Sequence, residues 1–338
     1  MIFYFILFVL ISIILVVPKT SLIDLRTYIF LVILSLAFSV REYNVGTDTL
    51  NYINSYLYSS LDDSTVEIGY KIFVEILRYF NFNVSCFLFF VSFFSLIGLL
   101  FFYRENSKNY IIAIILGFLF GYFFLNINIF RQAISISFVA FSLLFYINKK
   151  WGIFIFFSIL AFLFHKSSLI FIIPLLFIYL FKNKNILYIS YFVFSLGIVA
   201  FNDVFNNLID GEKRYTGYIA YNEGGGSGLI FFNVALLFLF FIFGRGNNFL
   251  VKYFSFGVFI GLPLLYLGVH PSGPLRLVYY FFWVSPVIIT NIISESSSKK
   301  SKVFFYFILI FFSLIYFYFF VKSIGGLENY KLGFIGVL

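Results

Sequence analysis

Cysteine is almost missing from this chain: Cys86 is the one cysteine in 338 residues. That excludes an intramolecular disulfide and a cysteine-based metal cluster. Histidine is also scarce. The two residues, His165 and His270, stand far apart, and no HxH, HExxH or HxxE spacing occurs, so no metal site is expected. No Walker motif, GxGxxG, GxSxG or DxD is present, which removes the common phosphate-loop, dinucleotide and nucleophile-elbow signatures. Charge is thin as well. Only 11% of residues are Asp, Glu, Lys or Arg, against about 25% in soluble domains.

Apolar side chains take the place of what is missing. Hydrophobic residues make up 62% of the chain, phenylalanine alone supplies 56 of them, and the mean hydropathy is +1.03. An AT-rich coding sequence produces the same bias toward Phe, Ile, Asn and Lys, so that bias carries no functional weight. Such a composition reads as an all-α polytopic integral membrane protein, with the lipid bilayer as its first partner. The net charge of +9 is then a topology signal, and no nucleic-acid partner is inferred from it. The opening stretch "MIFYFILFVLISIILVV" lacks a basic n-region and a small-residue cleavage site. It reads as a first spanning helix.

Apolar runs separated by short polar breaks predict about twelve transmembrane helices in a single transmembrane domain, 1–338. They fall at 2–17, 27–40, 84–103, 110–125, 129–147, 151–164, 168–181, 186–201, 229–243, 249–268, 276–293 and 303–321. Several are shorter than the usual ~20 residues, and the pairs around 110–147 and 151–181 allow tilted or re-entrant arrangements. With the N-terminus outside, the inner breaks hold thirteen basic and three acidic residues, and the outer side ten basic and eleven acidic. The bias recurs at every inner loop, as the positive-inside rule requires. Two outer segments are long. Residues 41–83 contain an expected amphipathic helix in which Ile68, Ile72, Phe73, Ile76 and Leu77 recur at helical spacing, with Lys71, Glu75 and Arg78 among the polar positions. Residues 202–228 form the second, with a glycine run at 224–226.

The unusual polar residues lie on that outer side: Arg41, Asp48, Arg131, His165, Glu223, His270 and Arg276. Ionisable groups at one depth, facing a water-filled cavity, are how a site between membrane helices is built. Arg131 stands in "NINIFRQAIS". A snorkelling interfacial arginine is the plain reading. Against it, Asn128 and Gln132 are spaced i, i+4, as are Arg131 and Ser135, so polar groups are expected on one helical side. A forked guanidinium suits a phosphate or diphosphate. Arg276 follows Pro271, Gly273 and Pro274 at an expected helix start, where backbone amides would add to an anion site; an interfacial arginine beside a Tyr279/Tyr280 belt is the alternative. His165, in "FLFHKSSLIF", reads as a general base or as a hydrogen-bonded interfacial histidine. Arg41 and Asp48 bracket "REYNVGTD", either as site residues or as a simple Arg–Asp pair.

Five blocks in order carry a resemblance. Arg41, Gly46, Thr47, Asp48 and Tyr52 form "R-x4-GTD-x3-Y"; Glu67, Gly69 and Tyr70 form "E-x-GY"; then come "FRQAIS", "FLFHKSSLI" and "PLRLVYYF". Together, over roughly residues 40–290, they resemble the EpsG-like family, whose members are similar to Wzy-type polymerases of O-antigen and exopolysaccharide repeat units. Residues 295–338 carry no matching motif. The resemblance implies a glycosyltransferase of GT-C-like architecture in the bacterial cytoplasmic (inner) membrane. Its active site would face the periplasm or exterior, and a chain-length regulator would be a partner. It implies that undecaprenyl-diphosphate-linked oligosaccharide units are joined by glycosyl transfer to a sugar hydroxyl, without a cofactor. Arg131, Arg276 and Arg41 would then hold the diphosphate and stabilise its departing charge. His165, with Asp48 second, would be the base. Gln132, Glu223, Tyr221 and Tyr279 would contact sugar. Two other classes stay open: a lipid-linked oligosaccharide flippase, and a membrane acyltransferase that modifies surface polysaccharide. The confinement of charge to one face speaks against a midplane transport site.

Overall fold

Hydropathy places most helix boundaries within a few residues of where they occur. The computed structural model describes residues 3, 4, 6–9, 12, 25–58, 66–201, 227–243, 248–266, 274–295, 298–323, 327, 328 and 330–333. In chain order its helices are α1 (Leu25–Ser39), α2 (Thr49–Tyr58), α3 (Ile68–Tyr79), α4 (Val84–Asn106), α5 (Tyr110–Leu119), α6 (Leu125–Asn128), α7 (Phe130–Ile147), α8 (Trp151–Phe164), α9 (Ile172–Leu180), α10 (Lys184–Ala200), α11 (Ser227–Phe243), α12 (Phe249–Tyr266), α13 (Tyr279–Phe282), α14 (Ser285–Ser294) and α15 (Lys299–Ser323). The protein is all-α. Its one strand-like feature among the described residues is an antiparallel bridge between Arg41 and Leu332.

Five stretches are long and apolar enough to cross a membrane: α4, α7, α12, Leu275–Ser294 and Ser301–Ser323. The bent pair Tyr110–Leu119 and Tyr122–Asn128 makes a sixth if it is one span. These account for about half of the twelve crossings expected from hydropathy. Five further expected runs are apolar helices of only 10–17 residues, among them α1, α8 and α10, shorter than the ~20 residues a straight crossing needs. The first expected span, 2–17, lies largely outside the described residues. The bend of 61° in 110–128 realises the expectation of a non-straight segment. Its break falls at Gly121, which has φ +81 and packs so closely on the Phe320 ring that no side chain fits there.

The chain divides into two compact units, residues 1–168 with 293–338, and residues 169–292. In the first, α4 packs between α1 and α7, and α7 packs on α8. Small residues make these approaches possible, as is usual between membrane helices. Gly98 N–H donates to Ser137 Oγ at 2.8 Å, Ser135 Oγ donates to the Ala161 carbonyl at 2.8 Å, and Ser142 and Ser158 share a hydroxyl contact at 2.7 Å. Fully buried Phe30, Phe38, Phe87 and Phe102 fill the space between. In the second unit, α12 contacts α9, α10, α11 and α13, and its Tyr253 hydroxyl donates to the Tyr280 carbonyl at 2.9 Å.

The first unit separates its charges by end. At one end, Arg26 donates to the Tyr110 hydroxyl at 2.6 Å, Arg104 pairs with Glu105 at 2.9 Å, and Lys108 meets Glu295 at 3.4 Å. These belong to breaks expected on the inner side. At the other end lie the 41–49 segment, the start of α3, the α6–α7 junction and the end of α8.

Candidate functional site

The α6–α7 junction begins the site. "NINIFRQAIS" does not form one helix. Its first part closes α6 at Asn128, Ile129 leaves helical geometry with φ −130 and ψ 57, and α7 restarts at Phe130. The expected i, i+4 pairing of Asn128 with Gln132 on one helical side is therefore corrected: the two stand on different helices. Asn128 Oδ1 accepts from Thr47 N–H at 2.9 Å, and the Thr49 hydroxyl donates to the Ile127 carbonyl at 3.0 Å. These bonds fasten the "GTD" turn onto α6. Gly46 makes the turn at φ +90, where a side chain would also collide with Ile127 and Asn128.

The restart puts Arg131 in the first turn of α7. It forms an ion pair with Glu67, and Tyr52 lies close enough to act on it electrostatically. Glu67 is the residue immediately before α3. Its other carboxylate oxygen, Oε1, lies 3.0 Å from Nδ1 of His165, the residue that ends α8. One carboxylate thus joins a guanidinium and an imidazole that stand 34 positions apart in the sequence. The approach depends on Gly69: α3 crosses α8 so closely there that an added Cβ would lie 2.8 Å from the Leu163 carbonyl oxygen. Tyr52 completes the wall. Its ring stacks on Phe130 at 4.2 Å and meets Tyr70 edge-on at 5.9 Å.

Electrostatics define the protonation pattern. Burial pushes the Glu67 carboxyl up, but the hydrogen bond from His165 and the charge of Arg131 outweigh it and bring it down to about 2. An ionised carboxylate only accepts hydrogen bonds. Nδ1 of His165 must therefore carry a proton, and in the neutral form of the ring the lone pair is on Nε2, on the other side. The exposures rank usefully: the Glu67 side chain is 5% exposed, Arg131 19% and His165 22%. A ligand can reach the cation and the imidazole while the carboxylate stays behind them. Such a group can bind an anion and accept a proton within one site.

Other expected residues sit differently. Arg41 is fully buried, its Nη1 donating to the Phe38 carbonyl at 2.6 Å and its guanidinium 5.2 Å above the Phe130 ring, with Nε and Nη2 unpartnered. The expected Arg41–Asp48 pair is not formed, and a fully buried Arg41 offers no surface to a diphosphate. It is covered from the side of the 330–333 segment, where Glu42 N–H donates to the Lys331 carbonyl at 3.1 Å and Gly333 N–H to the Val40 carbonyl at 2.7 Å. Asp48 is half-buried at the start of α2, and its carbonyl accepts from Tyr52 N–H at 3.1 Å. Gln132 lies beside Arg131 but is 4% exposed.

Arg276 and Tyr279 belong to the second unit, Arg276 in a short 3-10 turn at Pro274–Val278 and Tyr279 at the start of α13. Both are partly exposed. Glu223 and Tyr221, with the rest of 202–226, lie outside the described residues, as does His270. Among the described residues no cluster of three or more His, Cys, Asp or Glu forms a metal site.

Glu67 is the site residue that sequence reasoning passed over. It was visible as the "E" of "E-x-GY", but nothing in the sequence joined it to Arg131 and His165. The amphipathic helix expected in this segment is present as α3 (Ile68–Tyr79). Gly69, Tyr70, Val74 and Leu77 are buried, whereas Ile68, Ile72 and Ile76 form an exposed row, and Arg78 turns inward to the Ser55 and Tyr56 carbonyls at 2.6 and 2.7 Å. An exposed isoleucine row suits a helix lying at the membrane interface.

The sequence profile of the EpsG family matches residues 25–332. No curated protein and no solved structure matches the chain.

Proposed function

Because the chain belongs to the EpsG family, which is implicated in exopolysaccharide biosynthesis, we propose that it is a glycosyltransferase that polymerises lipid-linked oligosaccharide repeat units. The carrier is a polyprenyl diphosphate such as undecaprenyl diphosphate, and the reaction takes place at the membrane end that holds Arg131 and His165, on the extracytoplasmic face. The observation that carries this reading is the convergence of Arg131 and His165 on one buried carboxylate. Polymerisation needs a cation for the diphosphate and a base for the acceptor hydroxyl, and both are here in one place.

In this reaction the acceptor hydroxyl oxygen attacks the anomeric carbon of the growing chain. The bond from that carbon to the diphosphate oxygen breaks, and its electron pair leaves with the diphosphate. Arg131 binds and neutralises the departing charge. His165 takes the hydroxyl proton at Nε2. The aromatic wall of Tyr52, Tyr70 and Phe130 offers stacking surface to sugar rings.

The test is a banding gel of surface glycan from strains that carry each variant at normal protein level. Arg131→Ala and His165→Ala should leave single, unpolymerised repeat units. Arg131→Lys should give a weak, short ladder, because it keeps a charge for Glu67 but loses the fork. Arg276→Ala tests the second unit's arginine by itself. Normal ladders in both the Arg131→Ala and His165→Ala strains sink the reading. Loss of all glycan, single units included, points to a flippase instead.

A further inference from the structure

Glu67 has two carboxylate oxygens, and each is committed: Oε2 to Arg131 and Oε1 to His165. With His165 neutral, the Glu67–Arg131 pair is already balanced in charge. A diphosphate reaching Arg131 would add negative charge and compete with Glu67 for the same guanidinium. A guanidinium has five N–H donors, and Glu67 is engaged through Nη1 alone. Glu67 itself cannot follow the ligand outward. It is 5% exposed and stands at the base of α3, which Gly69 locks against α8. As Arg131 turns to the phosphate, the carboxylate keeps His165 as its one strong partner.

We propose that Glu67 is a positioning residue used twice in each cycle: it yields Arg131 to the incoming diphosphate, then acts as counter-ion to the imidazolium that forms on His165. This rests on the polymerase reading above. The charged and titratable groups that act on Glu67 are Arg131 from α7 and His165 from the end of α8, and Arg131 in turn is flanked by Tyr52 from α2 and Tyr70 from α3. Before the reaction, Glu67 holds Nδ1–H and leaves Nε2 as acceptor. When the acceptor hydroxyl gives its proton to Nε2, the positive ring sits against the carboxylate. When the lipid diphosphate leaves, His165 releases the proton to water and Arg131 returns to Glu67. Occupancy of the phosphate site and readiness of the base are thereby coupled through one side chain, which touches neither substrate.

A scaffolding residue and a shared counter-ion differ in kinetics. The experiment uses the full chain in lipid nanodiscs, with lipid-linked single units isolated from the parent strain lacking this gene. Glu67→Gln keeps the shape and loses the charge. Its kcat should fall about 10²–10⁴-fold, the usual worth of acid–base assistance, while KM for the lipid-linked unit stays level or falls. Inorganic pyrophosphate, as a probe of the freed Arg131, should inhibit this variant more tightly by on the order of tenfold. Glu67→Asp should recover part of kcat. Nitrogen NMR of labelled histidine in a His270→Gln background should show the Nδ1–H tautomer in the otherwise wild-type protein and a mixture in Glu67→Gln. A raised KM with unchanged kcat in Glu67→Gln, or weaker pyrophosphate inhibition, overturns the shared role and leaves Glu67 as a scaffold for Arg131. If Arg131→Ala and His165→Ala abolish ladders while Glu67→Gln turns over normally, this inference fails and the polymerase reading stands. If the wild type forms no polymer from the isolated units, both fail.

Discussion

At the residue scale, the charge on Glu67 is the main determinant of what this site can do. Its carboxyl is held at about 2, below the ordinary 4.5. A folded-state value below the unfolded one means that ionised Glu67 adds stability above the unfolded value. That stability is lost as pH falls through the folded value. Melting temperature in detergent should therefore drop between pH 4.5 and about 2, and Glu67→Gln should remove this part of the drop. An unchanged acid limb in the variant would show that the carboxylate is not held as described. Arg131→Ala leaves a buried carboxylate half-paired, a loss of about 3–5 kcal/mol for a buried pair broken on one side. Melting curves should place it well below Arg131→Lys. Arg131 itself was legible in the sequence, because a charge beside an apolar run is conspicuous. Glu67 was not, because an acid in a mostly polar outer segment looks like any solvated acid.

At the scale of elements, two local breaks assemble the cluster. Ile129 ends α6 and lets α7 start with Arg131 in its first turn. Gly69 lets α3 lie on α8, so that the residue before one helix meets the residue after the other. Gly69→Ala places a methyl group against the Leu163 carbonyl and forces the helices apart. Overpacking of this kind costs about 1–3 kcal/mol. We expect polymer length to fall more than melting temperature, because the shift separates Glu67 from His165 before it unfolds the unit. Glycan gels beside thermal melts check this, and a full ladder at lowered stability would refute it. The helices themselves were legible. Expected runs such as 129–147 and 151–164 recur as Phe130–Ile147 and Trp151–Phe164. Packing faces were not, since α3 is apolar on more than one side and periodicity alone does not say that Gly69, Tyr70, Val74 and Leu77 are the buried ones.

For the whole molecule, the sidedness expected from Lys and Arg bias is a matter for labelling; the first unit holds Arg26, Arg104 and Lys108 at one end and Arg131, Glu67 and His165 at the other. One native cysteine makes a direct check simple. In a Cys86→Ser background, cysteines placed singly at the exposed positions Asn44 and Asn148 should react with a membrane-impermeant thiol reagent from opposite sides, Asn44→Cys from outside the intact cell. Labelling of both from one side would overturn the topology and with it the extracytoplasmic site. The sequence by itself determined the membrane class, most helix positions and the candidate status of Arg131 and His165. Those follow from hydropathy and charge summed along the chain, and segments near in sequence suffice to read them. Only the tertiary structure decided that Arg131 and His165 share Glu67, and that Arg41 is buried against the Phe130 ring beside the 330–333 segment. Such pairings depend on close backbone approaches between helices far apart in sequence, set by a missing Cβ at Gly69 and a broken turn at Ile129, and no one-dimensional pattern records them.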